Sequence, residues 1–450
     1  METITVHDPR TGDIVSQVPA ATDEQVDAAI TTARAAAGDW AATPAAERAE
    51  RLREAAVAVG DAAAELAGWN ERETGKTGDD SLGGVAAGVS TLLQYAELGP
   101  VHRGRTLQGQ RSALDVMVPE PRGVVAVLTP WNDPAAVAAG LLGAALVTGN
   151  TVVHKPSERC PTTGRRFAEI IAEHLPDGVL SIVDGAGEVG AHLAASPEVD
   201  VVAHVGSTAT GTEIRRACAE HGTKVLLENG GNDPLIVDSG VDPAWAAEEA
   251  ALGCFANAGQ ICVSVERVYV TADVADAFID ELCGQARRWG ERIGPLVDNR
   301  QRDAVHAQVR GAVAQGAQIR TGGVISDDIG SFYPPTVLTG CTPDMTILRE
   351  ETFGPIAPVR VVDDFVTALV EAADDRYGLA ATVLTADMAH AQEAWRALPV
   401  GTVKINAVFG GAPGGASQPR GASGTGFGFG PELLDEMTTV KVVHYAPPGP

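Results

Sequence analysis

Five short apolar runs decide how this chain reads: Val124–Leu128 (VVAVL), Thr151–His154 (TVVH), Leu180–Val183 (LSIV), Val201–Val205 (VVAHV) and Lys224–Leu227 (KVLL). Their length and β-branched content predict buried strands. Four longer stretches of helical spacing separate them, one from about Pro134 and the others at Thr162–His174, Glu188–Ala195 and Thr210–His221. Strand and helix in strict alternation predict a mostly parallel, doubly wound α/β sheet, Rossmann-like in plan. Right-handed crossovers in such a sheet place ligands at the carboxyl ends of the strands. The residues just after each run are therefore the first place to look for chemistry.

Outward from this core the pattern changes twice. The N-terminal part reads as helical. Thr22-Asp23-Glu24 opens a helix over Val26–Ala37, with acids in the first turn to suit the helix dipole. Pro44 to Ala67 and about Asp80 to Leu98 continue with Ala, Leu and Val at helical spacing. After Gly231 a second, less regular α/β series begins, with strands expected at Pro234–Val237, Arg267–Thr271, Ala357–Val362 and Ala381–Leu384. Helices are expected there at Ala244–Ala256 and Asp273–Arg288, and Gly410–Gly430 reads as a long Gly-rich loop.

Composition narrows the function classes. The chain has 450 residues, 45% hydrophobic and 20% charged, in line with a globular protein that buries a sizeable core. Its 33 basic and 59 acidic side chains give a formal charge of −26. That sign repels phosphate backbones and anionic lipid, so neither nucleic acid nor membrane is expected as a partner. The most apolar window, Ala135–Val147, is too short to span a bilayer. Six cysteines, with no C-x-x-C pair and no ligand spacing to the ten His, predict reduced thiols and no metal site. The start (METITVHD) lacks a signal-peptide pattern, and a cytoplasmic location is expected.

Several local motifs could carry chemistry, each beside a plainer reading. Gly185-Ala-Gly187-Glu-Val-Gly190 is a literal G-x-G-x-x-G between strand and helix. It follows the third strand, not the first, and no acid stands about 20 residues on to hold a ribose. It is either a phosphate loop or a turn beside the cofactor. Gly206-Ser207-Thr208, at a strand-to-helix junction, is a better anion site, or simply a helix cap. Cys262, after Asn257-Ala-Gly-Gln-Ile, is a loop nucleophile or an inert core thiol. Glu228, at the end of a strand before Gly230-Gly231, is a carboxylate at the cleft or a surface acid. Asn132, after Thr129-Pro130-Trp131, is a site amide or a turn residue.

Taken in order, these pieces join others: Gly149-Asn150-Thr151 with Lys155-Pro156-Ser157-Glu158, and Glu350-Glu351-Thr352-Phe353-Gly354-Pro355. The set closely resembles the aldehyde dehydrogenase superfamily, from Asp8-Pro9-Arg10-Thr11-Gly12 to Thr438-Thr439-Val440-Lys441. The resemblance implies NAD(P)-dependent, hydrolytic oxidation of a small-molecule aldehyde. Cys262 would be the nucleophile, Asn132 the oxyanion donor and Glu228 the base that activates water. Thr129, Pro130 and Trp131 would border the cofactor, and Gly187 would lie beside it. Lys155 and Glu158 would hold the adenosine ribose, Gly206 and Ser207 the pyrophosphate, and Glu351 with Phe353 the nicotinamide end. Glu158 favours NAD, with NADP possible. A CoA-acylating relative, or a non-catalytic binder on the same fold, are the alternatives; Glu228 argues for water over CoA.

The resemblance also implies a division of the chain. Residues 1–100 and 122–230 would bind cofactor, and 231–412 would form an α/β catalytic domain. Residues 101–121 and 431–450 would make a small β oligomerisation arm for a homodimer or homotetramer, and 413–430 a Gly-rich loop. Four departures bear on substrate. Asn232 stands where Lys is usual, Asn229 where an apolar residue is usual, and Asp133 where an aromatic or apolar side chain commonly lines the substrate tunnel. The atypical stretch Gly414–Gly424 replaces a segment that shapes the tunnel mouth.

Overall fold

The computed structural model describes residues 2–325, 329–411 and 415–448. The chain opens on an antiparallel hairpin, β1 (Thr3–His7) and β2 (Ile14–Pro19), where the sequence pattern suggested only helix. Four helices follow: α1 (Asp23–Ala42), α2 (Ala45–Asp61), α3 (Ala63–Thr74) and α4 (Gly78–Leu98). Thr22 starts α1 with a full capping box to Gln25. The single helix expected over 44–67 is two, because the backbone at Ala62 (φ −90°, ψ 8°) breaks the helical path. Strands β3 (Arg105–Leu107) and β4 (Leu114–Pro121) come next.

The alternating core then unfolds as read: β5 (Val124–Leu128), α5 (Pro134–Val147), β6 (Thr151–Lys155), α6 (Pro161–Ala172), β7 (Leu180–Ile182), α7 (Gly187–Ala195), β8 (Val201–Val205), α8 (Thr208–Ala219) and β9 (Lys224–Glu228). The spatial order is β9-β8-β5-β6-β7, all parallel. The chain winds from β5 to one side, returns to β8 on the other, and so reverses direction between β5 and β8. That reversal opens a crevice at their carboxyl ends. Apolar residues on one face, such as Val125, Val127 and Ala203, pack on α5 and the N-terminal helices. Those on the other, such as Ala126 and Val202, pack with α1, α7 and α8.

The second series contains more than its weak pattern revealed: β10 (Asp233–Val237), α9 (Pro243–Phe255), β11 (Val265–Thr271), α10 (Ala272–Gly290), α11 (Asn299–Ala314), β12 (Gln318–Thr321), β13 (Thr336–Thr339), β14 (Ile356–Val362), α12 (Phe365–Ala373), β15 (Ala380–Leu384), α13 (Met388–Ala397) and β16 (Thr402–Ile405). They form one sheet in the order β12-β13-β14-β11-β10-β15-β16, parallel except where β12 meets β13. The expected Gly-rich loop over 413–430 needs correction. Gly414 of the 414–424 stretch lies outside the described residues, but β17 (Gly424–Thr425) within the same region pairs antiparallel with β9 and adds a sixth strand to the first sheet. A short helix, α14 (Glu432–Glu436), leads to β18 (Thr438–Tyr445), which pairs along its whole length with β4. The resulting sheet, β18-β4-β3, leaves Val440, Val442, Tyr445 and Leu114 exposed. Among the described residues no helix is long and apolar enough to cross a membrane.

Candidate active site

Three elements converge at the carboxyl end of the first sheet. The loop after β5 carries Thr129 to Asp133, the end of β9 carries Glu228, and the turn between α9 and β11 carries Cys262. That turn is held in an unusual shape. Asn257 and Ala258 have φ of 48° and 54°, and Gly259 has φ of 74° with the Gly354 carbonyl pressed against it. Non-glycine residues rarely sit there, so surrounding contacts must hold them. Gln260 supplies those contacts: its side-chain N–H donates to the Asn257 carbonyl (3.1 Å), and its side-chain oxygen accepts from the Val297 N–H (2.9 Å). Cys262 follows and is half-buried, while the other five cysteines are buried free thiols.

The Cys262 thiol and the Glu228 carboxylate stand close enough to feel each other's charge, the thiol in the turn after α9 and the carboxylate at the end of β9. Burial pushes the Cys262 thiol well up, and the nearby Glu228 charge adds to it. Burial also raises Glu228, and the nearby Cys262 thiol opposes the rise. Each group thus favours its neutral form, and one proton passing from sulfur to carboxylate is a short move. A small pocket, partly open to solvent, borders Glu228 between Leu141, Val205, Phe427 and Gly428. Asn132 donates one side-chain hydrogen to the Gln260 carbonyl (3.1 Å), and its second amide hydrogen has no partner among the described residues.

The cofactor candidates line the crevice. Trp131 meets Phe353 edge-on, with ring centroids 5.5 Å apart. Phe353 itself has φ of 52°, held by Glu266, whose carboxylate accepts the Thr352 and Phe353 N–H groups at 3.0 Å each. Burial raises Glu266 to about 8, with Glu351 adding to the rise. Glu351 accepts the Gly231 N–H (3.0 Å) and is lifted to about 7 by burial. Its other oxygen lies where a Cβ on Gly230 would be, so that glycine is required. Lys155 Nζ donates to the carbonyls of Pro156 (2.9 Å) and Gly185 (2.8 Å) and stands 4.0 Å from Glu158. It thereby ties the G-x-G-x-x-G turn to the β6 end. Within that turn Gly185 is crowded by Val189, whereas Gly187 opens α7 on an exposed face with free space beside it. Thr129 Oγ1 lies 2.9 Å from the buried His154 ring, and Pro130 is buried beside Trp131. Ser207 caps α8 by accepting from Thr210 N–H (3.2 Å), and Gly206 N–H bonds the Glu228 carbonyl (3.0 Å). The plainer reading of Ser207 as a helix cap therefore holds for its side chain.

Some contributors escaped the sequence. Lys76 Nζ lies 3.3 Å from the Asn132 carbonyl and 3.3 Å from Asp133 Oδ1. Its pattern, a lysine between two helices, carries no sign of a partner 56 positions on. Gln260 was seen only as part of a turn, and Glu266, just before the expected strand Arg267–Thr271, was not singled out. Arg159, which stood near Glu158 in sequence, is instead over the Trp131 ring (5.1 Å) and paired with Asp298 (3.4 Å). Asn232, in place of the usual Lys, donates to Asp375 (2.7 Å) and to the Leu348 carbonyl, a structural role in the second sheet.

With this geometry in view, the chain belongs to the aldehyde dehydrogenase family, whose model matches residues 1–443. It is an NAD(P)-dependent oxidoreductase of that class. It is 34% identical over 472 residues to the peroxisomal aminoaldehyde dehydrogenase 1 of Malus domestica, covering 98% of this chain and 92% of that one. Lactaldehyde dehydrogenase from Escherichia coli superposes with a TM-score of 0.95 at 33% identity, over 99% of this chain and 96% of that one. Betaine aldehyde dehydrogenase from Staphylococcus aureus, solved with NAD+, gives a TM-score of 0.95 at 30% identity, over 99% and 92%.

Proposed function

We propose that the chain oxidises an aldehyde to its carboxylic acid at Cys262, with water releasing the product. The single observation that carries this reading is the approach of the Cys262 turn to the end of β9, where a Cβ on Gly231 would meet the Cys262 carbonyl at 2.9 Å and the thiol feels the Glu228 charge: a nucleophile and a base brought together from distant segments. Glu228 takes the thiol proton, and the sulfur attacks the carbonyl carbon. The resulting oxyanion is held by the Asn132 amide and the Cys262 backbone N–H. When bound, the nicotinamide supplies the hydride acceptor. The acyl group then remains on sulfur as a thioester. Glu228 gives that first proton up to solvent and then removes one from a water in the pocket beside it, the oxygen attacks the acyl carbon, and the thiolate leaves. Incubating the protein with an aldehyde panel and NAD+, with and without CoA, tests this: acid and NADH form without CoA.

The crevice suits a dinucleotide. Lys155 and Glu158 would hold the adenosine ribose, Gly206 and the start of α8 the diphosphate, and Glu351, Trp131 and Phe353 the nicotinamide end, with Thr129, Pro130, Gly187 and Ser207 bordering it. The orphaned Thr208 hydroxyl, buried with no hydrogen-bond partner among the described residues, supports a ligand at α8. Glu158 favours NAD over NADP, because a 2′-phosphate meets a like charge while Arg159 is engaged with Asp298. Asp133 presents a half-exposed carboxylate beside Asn132, with Lys76 buried behind it. That favours aldehydes without a carboxylate near this wall.

Residues 1–100 and 122–230 are assigned to cofactor binding and 231–412 to catalysis. The exposed apolar edge of β18 supports 101–121 and 431–450 as an arm that joins copies into a homodimer or homotetramer. Six free cysteines agree with a reducing, cytoplasmic setting.

A further inference from the structure

His204 is the one group near the crevice that this reading leaves without work. It lies on β8 two residues before Gly206 and is 7% exposed. Neither ring nitrogen has a hydrogen-bond partner among the described residues. By contrast the neighbouring buried His154 shares a hydrogen bond with Thr129. An imidazole sealed in apolar surroundings with both nitrogens idle carries a burial penalty that the protein alone does not offset.

The ring points at the start of α8. A Cβ added to Gly206 would lie 2.6 Å from Cε1 and 2.8 Å from Nε2 of His204. The imidazole edge thus rests on the Gly206 Cα, directly beneath the helix N-terminus. Thr208, the first residue of that helix, carries the orphaned buried hydroxyl already noted. Two idle polar side chains therefore flank the same positive helix end. Together they point to an anion at α8.

The protein directs little else at this ring. The register partners of His204 on the adjacent strands are Leu128 and Leu227. Helices α7 and α8 bring Val189 and Ile214 to the same face. Lys155, at the end of β6, is the charged group whose field reaches it. Burial first, and then Lys155, lower His204 to about 4. The Ser207 backbone opposes this slightly, without reaching hydrogen-bond geometry. The imidazole is neutral in the free protein at physiological pH.

We propose that His204 takes up a proton from solvent when the diphosphate of the dinucleotide docks at the N-terminus of α8, which makes cofactor binding proton-linked through this residue. The inference rests on the cofactor assignment above. A nearby anion raises a group of this kind by about 1–3 pKa units. Cofactor affinity then strengthens as pH falls toward 6, because the bound state holds more protons than the free one. Binding, not turnover, is the quantity affected.

The test is calorimetric titration of the intact protein with NAD+ at pH 6 in two buffers of different ionisation enthalpy, repeated at pH 8. Wild type is expected to take up part of a proton per NAD+ at pH 6 and to bind about threefold or more tighter there than at pH 8. His204→Phe and His204→Gln should bind at pH 8 within about threefold of wild type and show less uptake at pH 6. Glu351 and Glu266 titrate in the same range but are present in all three proteins, so the difference between wild type and variants isolates residue 204. ADP-ribose, which keeps the diphosphate, should reproduce the uptake, and nicotinamide mononucleotide should not. Equal proton uptake in wild type and both variants overturns the proposal. Failure of wild type to bind NAD+ at all overturns the cofactor assignment itself. Far-UV circular dichroism verifies that the variants fold; if His204→Phe does not, His204→Gln carries the comparison.

Discussion

Gly428 lies against the Glu228 carboxylate: a Cβ at position 428 would sit 2.7 Å from Oε2. The contact follows from β17, which pairs Gly424 with Glu228 and lays the next residues over the β9 end. The proposed base is thus roofed by a segment nearly 200 positions away. Its freedom to serve the sulfur first and a water later depends on that roof staying thin.

Glu228→Gln should separate the two halves of the reaction. A glutamine cannot take a proton from water, so acyl-enzyme accumulates. Rapid mixing should show a burst of NADH slower than that of wild type, because the thiol has lost its base as well, followed by turnover slowed about 100- to 10,000-fold. Because the Cys262 and Glu228 protons are coupled, the wild-type rate should rise with pH on its acid limb, with an apparent value belonging to the pair. Loss of the burst along with steady turnover would assign Glu228 to thiol activation alone. Recovery of turnover on adding CoA would support the acylating alternative.

Cys262→Ala should lower aldehyde oxidation on the order of a thousandfold or more while NAD+ still binds. Cys341→Ala, at a buried thiol in the second unit's core, should retain turnover. Steady-state assays together with NAD+ titration distinguish the two. More than a few per cent residual activity in Cys262→Ala would place the nucleophile elsewhere.

Asn132→Ala should cost about 100- to 1,000-fold in kcat, the usual loss for one oxyanion donor, with cofactor affinity little changed. The same variant removes the bond to the Gln260 carbonyl, so NAD+ titration and far-UV circular dichroism verify that the site is otherwise kept. A loss below threefold in Asn132→Ala would mean that backbone donors suffice.

Glu158→Ser should shift the ratio of kcat/KM for NAD+ over NADP+ toward NADP+ by roughly tenfold, the worth of a charge-assisted hydrogen bond of about 1.5 kcal/mol. An unchanged ratio removes Glu158 from cofactor choice. So does wild-type enzyme that uses NADP+ as well as NAD+.

Asp133→Asn should improve kcat/KM for a short aldehyde bearing a distal carboxylate, relative to its uncharged analogue, by about tenfold, since a like charge facing the substrate is removed. Lys76 stays in place and keeps its contact to the Asn132 backbone. If both substrates respond equally, Asp133 does not face the substrate.

The legible parts of this protein were those with local causes. Alternating apolar runs and helical spacings define the β5-to-β9 core because a strand buried on both faces is largely apolar, as the fully buried Val124–Leu128 is. Cys262, Glu228 and Asn132 stood out because short ordered motifs surround them. What the sequence could not show depends on partners far along the chain. β12, β13 and β16 are four residues each and half or more polar, so their strand character appears only when neighbours supply the other half of each ladder. β17 is two residues that become a strand only by pairing with β9. Lys76 is an ordinary interhelical lysine until folding sets it against Asn132. The sequence by itself determined the layered α/β plan and marked the candidate reacting groups, because periodicity and strand-end position are local. Only the tertiary structure decided which carboxylate meets which thiol and which imidazole is left idle, because desolvation and hydrogen bonding depend on what every other segment brings to the same few ångströms.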